Sequence, residues 1–231
     1  MTHLEAYGSK GTSMAKKILT AMLLCAFFLS GCQLTDVLNP IATAAPTGTL
    51  LFSDDFTNNS NHWGVSNGDT GSVNFLYQGL DIKVNESDSM VWSVAGQRFQ
   101  DVQIDVDGVL LSGPTDDIYG AICRFQDNQH FYGFLVTHDG YYGIFKMQDG
   151  KLSLADAEGG LKYSEVIRQG GVVNHIQAVC QGDLLKLSVN DQLLTEVEDS
   201  SLTEGQVGLI AGSYTTPGVE VFFDNLKVSQ P

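Results

Sequence analysis

The chain has 231 residues, room for one or two domains by length alone, and its 43% hydrophobic and 17% charged residues fit a globular core rather than a disordered chain. Twelve Lys and Arg against 27 Asp and Glu give a formal charge of −15; three of the basic residues but only one acid precede Cys32, so the remainder carries −17. A surface of that sign repels phosphate backbones and excludes nucleic acid as a partner.

Lys16 and Lys17 open onto an apolar run from Ile18 to Leu29, followed by Ser30-Gly31-Cys32. A basic start, about a dozen apolar residues and a small-residue cleavage site make up a secretory signal peptide, and the run falls short of the roughly 20 residues needed to span a bilayer. Leu29-Ser30-Gly31-Cys32 also resembles the lipobox of bacterial lipoproteins. That resemblance implies cleavage before Cys32, lipidation of Cys32 with two or three acyl chains, and a domain held on the extracytoplasmic side of a bacterial envelope membrane. Residues 1–31 are thus expected to be a signal peptide, with Met14 a better start than Met1. Residues 32–50, with Pro40, Ala42, Ala44, Ala45 and Pro46, have no apolar period and read as a flexible tether.

Residues 51–231 read as strands and turns. Val102, Ile104 and Val106 alternate with Gln103, Asp105 and Asp107, the pattern of a half-buried strand. Tyr119 to Phe125 and Phe131 to Val136 are joined by Gln126-Asp127-Asn128-Gln129. Asp139-Gly140 leads into Tyr141 to Met147, and Asp149-Gly150 into Leu152 to Leu154. Asp-Gly between alternating runs is a hairpin signal, because type I′ turns need positive φ at both central residues. Further strands are expected at Val173–Cys180, Leu184–Val189, Gln192–Val197, Gln206–Ala211 and Val219–Val228. About a dozen strands with no amphipathic helix define an all-β, two-sheet antiparallel jelly-roll β-sandwich.

Several short motifs carry a family resemblance. Asp54-Asp55-Phe56 with Trp63, Tyr119-Gly120 before Arg124-Phe125-Gln126-Asp127, Phe131-Tyr132, Asp139-Gly140-Tyr141-Tyr142, Val189-Asn190-Asp191-Gln192, Gly205-Gln206-Val207-Gly208-Leu209 and Phe223-Asp224-Asn225 follow in order. Together they resemble laminin-G-like and concanavalin A-like jelly rolls, including the sugar-hydrolase-associated and lectin-like members that bacteria carry on lipoproteins. The resemblance implies the fold; activity varies too widely on this fold to follow from it.

Jelly-roll glucanases place two glutamates around an aspartate on one strand, whereas the nearest text here is Gln103-Ile104-Asp105-Val106-Asp107, and Gln103 cannot act as a nucleophile. The reading therefore leans away from an enzyme, with a glycoside hydrolase kept as an alternative. Aromatic rings that stack on sugars point instead to a carbohydrate-binding face. If Cys123 points inward, alternation turns Arg124 outward, and Arg124, Tyr132, Tyr142 and Lys146, supported by Trp92, become the expected open surface for a glycan or envelope polymer. An envelope protein is the alternative partner for that surface. Gly133 and Gly143, in mid-strand, suggest close approach by a ligand or a neighbouring side chain. Cys123 and Cys180 would close a loop of 57 residues as a disulfide, or remain two buried thiols. A structural calcium as cofactor would draw on Asp55 and Asp224, since the first and last strands are expected to pair, although calcium needs six to eight oxygens.

Overall fold

In a computed structural model, residues 45–155 and 159–231 are described; the proposed signal peptide, Cys32 and most of the tether lie outside them. Among the described residues there are sixteen strands: β1 (Leu50–Asp54), β2 (Ser66–Asn67), β3 (Gly71–Leu76), β4 (Gly79–Val84), β5 (Ser89–Phe99), β6 (Val102–Ser112), β7 (Ile118–Asp127), β8 (His130–Thr137), β9 (Tyr141–Gln148), β10 (Lys151–Leu154), β11 (Lys162–Tyr163), β12 (Asn174–Gln181), β13 (Leu184–Val189), β14 (Gln192–Glu198), β15 (Gly205–Ser213) and β16 (Val219–Ser229).

They form two antiparallel sheets. Nine strands run in the order β14-β13-β12-β6-β16-β4-β3-β2, with β1 also on β16; seven run β10-β9-β8-β7-β15-β5, with β11 also on β9. The chain changes sheet on either side of β5, between β6 and β7, between β11 and β12, and on either side of β15, which produces the jelly-roll sandwich. First and last strands pair as expected, with Leu50 opposite Ser229 and Asp54 opposite Leu226. Gly48 N donates to Gln230 O at 2.7 Å and Gln230 N to Thr49 O at 2.8 Å, so the end of the expected tether is already part of the fold.

Period-2 alternation builds the core. In β6, Val102, Ile104 and Val106 are buried while Gln103, Asp105 and Asp107 are half-buried. Opposite them the seven-stranded sheet contributes Tyr119, Ala121, Cys123, Tyr132, Phe134, Val136, Ile144 and Leu209. Cys123 and Cys180 are bonded, with Cα atoms 6.8 Å apart, and join β7 of one sheet to β12 of the other. In the chain-entropy picture a loop of that size contributes roughly 2–4 kcal/mol.

The outer face of the seven-stranded sheet carries a second apolar cluster that includes Ile122, Phe125, Phe131, Leu135, Phe145 and Ile210. The Phe131 ring centre lies 5.5 Å from Trp92, 5.6 Å from Phe125 and 5.7 Å from Phe145. Gly133 makes room for this layer: a Cβ there would come within 1.9 Å of the Phe145 ring.

Hairpin chemistry follows the expected rule at Asp149-Gly150, where φ is 52° and 70°, and at Asn190-Asp191, where it is 49° and 67°. Tyr77 and Gln78 adopt the same left-handed conformation, with φ of 51° and 62°, between β3 and β4. Among the described residues no helix is long and apolar enough to cross a membrane.

Candidate functional site

The register gives the sandwich two distinct ends. Leu50 of β1 and Gln103 of β6 both lie opposite Ser229, where the chain joins the fold. At the other end, Ser112 of β6 lies opposite Glu220, and Ile118 of β7 lies between Gly212 and Thr137. From Gln103 to Ser112 is about 30 Å at the usual rise of a strand.

A cleft of about 290 Å³ opens at this second end, lined by Asp116, Ile118, Thr137, Asp139, Tyr141, Leu161, Ser213 and Tyr214. Its walls include the β6–β7, β8–β9, β10–β11 and β15–β16 connections, and hydrogen bonds tie the β8–β9 turn to the connections before β7 and after β11. Asp139 N donates to Thr115 O at 2.9 Å, and Ser164 N donates to Gly140 O at 2.9 Å. Gln169 Nε2 donates to Asp139 O at 3.1 Å. Thr137 Oγ1 donates to Asp139 Oδ1 and accepts from Tyr141 N at 2.8 Å, which fixes the carboxylate at the mouth of the β8–β9 loop. Tyr141 is 41% exposed and Tyr214 67%, so their rings remain available to a ligand. Tyr163 stands edge-on to Tyr141 with ring centres 5.6 Å apart. Gly140 permits that pose: its φ is +96°, and a Cβ would come 2.8 Å from the Tyr163 ring.

Asp117, next in sequence to Asp116, does not line the cleft. Its side chain is fully buried, and neither carboxylate oxygen has a hydrogen-bond partner. Burial, and then the negative charge of Asp116, push its carboxyl up to about 7, against a smaller lowering by the nearby Tyr214 backbone, which lies outside good hydrogen-bond geometry. Gly113, with φ of +128°, makes space for it, since a Cβ there would come 2.4 Å from Asp117 Oδ2.

The residues expected on an open sheet surface lie elsewhere, and that placement is corrected. Arg124 is 1% exposed. A bulge shifts the β7–β8 register between Cys123 and Asp127, and Arg124 takes φ of 51°, so alternation breaks at this residue. Its guanidinium donates to the carbonyls of Gln100 (3.2 Å), Leu202 (2.7 Å) and Gly182 (2.6 Å). Tyr132 and Tyr142 face the core between the sheets, because the β8 and β9 parity that carries them is the inward one. Tyr142 Oη donates to Leu194 O at 3.1 Å, bridging the sheets.

Arg124, Tyr132 and Lys146 nonetheless converge, on the segment that joins β14 to β15. Tyr132 Oη donates to Asp199 Oδ1 at 2.6 Å and accepts from Leu202 N at 3.0 Å. Lys146 Nζ donates to Asp199 Oδ2 at 2.6 Å and Ser201 Oγ at 2.9 Å. Burial raises the Asp199 carboxyl, but hydrogen bonds from Lys146, Ser201 and Tyr132 outweigh it and hold the group well below the usual carboxylate range. Burial and the Asp199 contact push Tyr132 up to about 12. The arrangement fastens a loop and leaves these polar groups engaged with the protein.

Trp92 is half-buried and borders a separate depression with Ser66–Gly71, Met90 and Val91. Asp55 accepts from Thr57 N and Oγ1 at 3.1 and 2.8 Å, and Asp224 from Asn225 N at 2.6 Å, so both are occupied in local turns. Among the described residues no three His, Cys, Asp or Glu side chains gather as metal ligands, and the proposed calcium pair is not assembled into a site. Gln103 Nε2 donates to Asp105 at 2.8 Å, while Asp107 meets His175 at 2.8 Å and Asn225 at 2.9 Å, an internally bonded polar strip on the outside of the nine-stranded sheet.

These features define an all-β, two-sheet jelly-roll domain of lectin-like fold. No protein-family model and no curated protein matches the chain. Its structure is similar to the carbohydrate binding module CBM66 from Bacillus subtilis, with a TM-score of 0.58 and 20% identity over 73% of this chain and 95% of that one. It is also similar to a protein of unknown function with galectin-like fold from Bacillus subtilis, at 0.59 and 11% over 80% and 97%. A Bacillus licheniformis beta-glucanase matches at 0.58 and 11% over 80% and 100%. At these identities what is shared is the fold.

Proposed function

We propose that this chain is a non-catalytic carbohydrate-binding module, and that lipid on Cys32 tethers it to the extracytoplasmic side of a bacterial envelope membrane. The observation that carries the reading is the cleft at the loop end: tyrosine rings for stacking, with the carboxylates of Asp116 and Asp139 in the same wall as acceptors for sugar hydroxyls. The likeness to CBM66 supports the same class of ligand.

A glycan-array screen of the purified full chain tests this reading. A reproducible hit weakened at least about tenfold by Tyr141→Ala is expected, a loss of the size carried by a stacking residue at a binding centre. A blank array would overturn it. The anchor is tested separately, by mass spectrometry of the membrane-extracted protein for acyl groups on Cys32. An unmodified Cys32 would remove the tether from the proposal.

One observation favours a second reading, hydrolysis of a glycosidic bond: two carboxylates, Asp116 and Asp139, share the cleft. Shortened products released from the bound glycan would establish that reading in place of the first.

A further inference from the structure

We propose that the cleft selects its saccharide by charge: it takes one carrying a free ammonium group in preference to the N-acetylated form, and rejects uronates. This deepens, and rests on, the carbohydrate reading above. The charged side chains lining the cleft are Asp116 and Asp139, and among the described residues no Lys, Arg or His lines it. Thr137 Oγ1 holds one oxygen of Asp139, so the negative charge is set in place before a ligand arrives.

The aromatic part of the wall has the same preference. Tyr141 and Tyr214 line the cleft, and Tyr163 packs against the Tyr141 ring at 68°. Ring faces carry negative quadrupole density, so they attract an ammonium group as well as stacking on a sugar ring. A carboxylate in the same place would meet two like charges and the ring faces, with no cation of the lining to offset them. The long-range field adds to this, because 26 acidic residues follow Cys32 against nine basic ones.

Calorimetry on the full chain at low salt and pH 5.5, where the amines are protonated, tests the inference with two hexosamine ligands that share a backbone and with an acidic hexamer. A glucosamine hexamer should bind roughly tenfold more tightly than the N-acetylglucosamine hexamer, the sum of two partly screened charge contacts, and the gap should shrink as salt is added. A galacturonate hexamer should give no heat of binding. The Asp116→Asn/Asp139→Asn variant should lose the preference and bind the two hexosamine forms equally, since the amide keeps the side-chain shape without the charge. Asp105→Asn/Asp107→Asn, on the outside of the nine-stranded sheet, should leave the preference intact and so separates the cleft from the general acidity of the chain.

Equal binding of the two hexosamine forms, or a preference that survives Asp116→Asn/Asp139→Asn, would overturn the charge rule. The carbohydrate reading would still stand if the array gave neutral hits. A blank array together with no heat from any hexamer would overturn both.

Discussion

Replacing Asp117 with asparagine should change the pH dependence of stability more than stability itself. The carboxyl is fully buried, lacks a hydrogen-bond partner, and is raised from 3.8 to about 7. Below its unfolded pKa both states are protonated and the group costs nothing as a charge. As pH rises past 3.8 the unfolded chain ionises while the folded chain does not, so stability falls until the folded group also ionises near 7. Each pH unit in that window removes about 1.4 kcal/mol, which amounts to roughly 2.5 kcal/mol between pH 5 and pH 8. An asparagine has no such ionisation, and its unpaired amide carries a pH-independent cost of about 1–3 kcal/mol that the parent's unpaired neutral carboxyl also carries. Urea unfolding at both pH values measures the two effects. The Asp117→Asn variant should gain stability relative to the parent between pH 5 and pH 8, a relative shift in midpoint of roughly 1 M. Asp81, raised to about 6 by burial and then by Glu220, titrates in both proteins and cancels from the comparison. Stability curves that run parallel from pH 5 to pH 8 would refute the reasoning.

Asp199→Ala should strand Lys146 and the Tyr132 hydroxyl, lowering stability by about 2–4 kcal/mol at pH 7, read from denaturant midpoints. In the parent, the stability contributed by the depressed Asp199 carboxyl is present above the unfolded carboxylate pKa and is lost as pH falls below it; the variant's acid limb should be correspondingly flatter. Cys123→Ser/Cys180→Ser should lower stability by roughly 2–4 kcal/mol in the same assay, and the parent should show no alkylatable thiol at these two positions without reductant. Gly133→Ala pushes a methyl into the Phe145 ring and should cost about 1–3 kcal/mol in urea unfolding.

Alternation made the strands legible, and β6 is the clearest case because its polar parity is charged or amide from Gln103 to Asp107. The same reasoning could not choose the inward parity of β8 and β9. Phe131 and Leu135 on one parity are as apolar as Tyr132, Phe134 and Val136 on the other, since both faces of that sheet are covered with side chains. Arg124 eluded the pattern for a different reason: one bulge reverses parity, and no Gly or Asn marks it in the sequence. The Tyr77-Gln78 turn is equally unmarked, whereas Asp149-Gly150 announced itself. Of the cleft, the Asp139-Gly140 turn and the strand that Tyr141 opens were legible, but as a hairpin and not as a site. Asp116, Leu161, Ser213 and Tyr214 come from connections brought together only by the topology, and no local spacing links them.

The separation between the two ends of the sandwich has a mechanical consequence. In a domain held from the Leu50 end and loaded at the cleft, tension runs along the strands. The β1–β16 hydrogen bonds, from Leu50↔Ser229 to Asp54↔Leu226, would then bear the load side by side in shear instead of opening one after another. The Cys123–Cys180 bond adds a covalent stop against one sheet sliding over the other. Tension between those two ends would therefore be carried along the strands, and a ligand that drags on the cleft would pull in that direction.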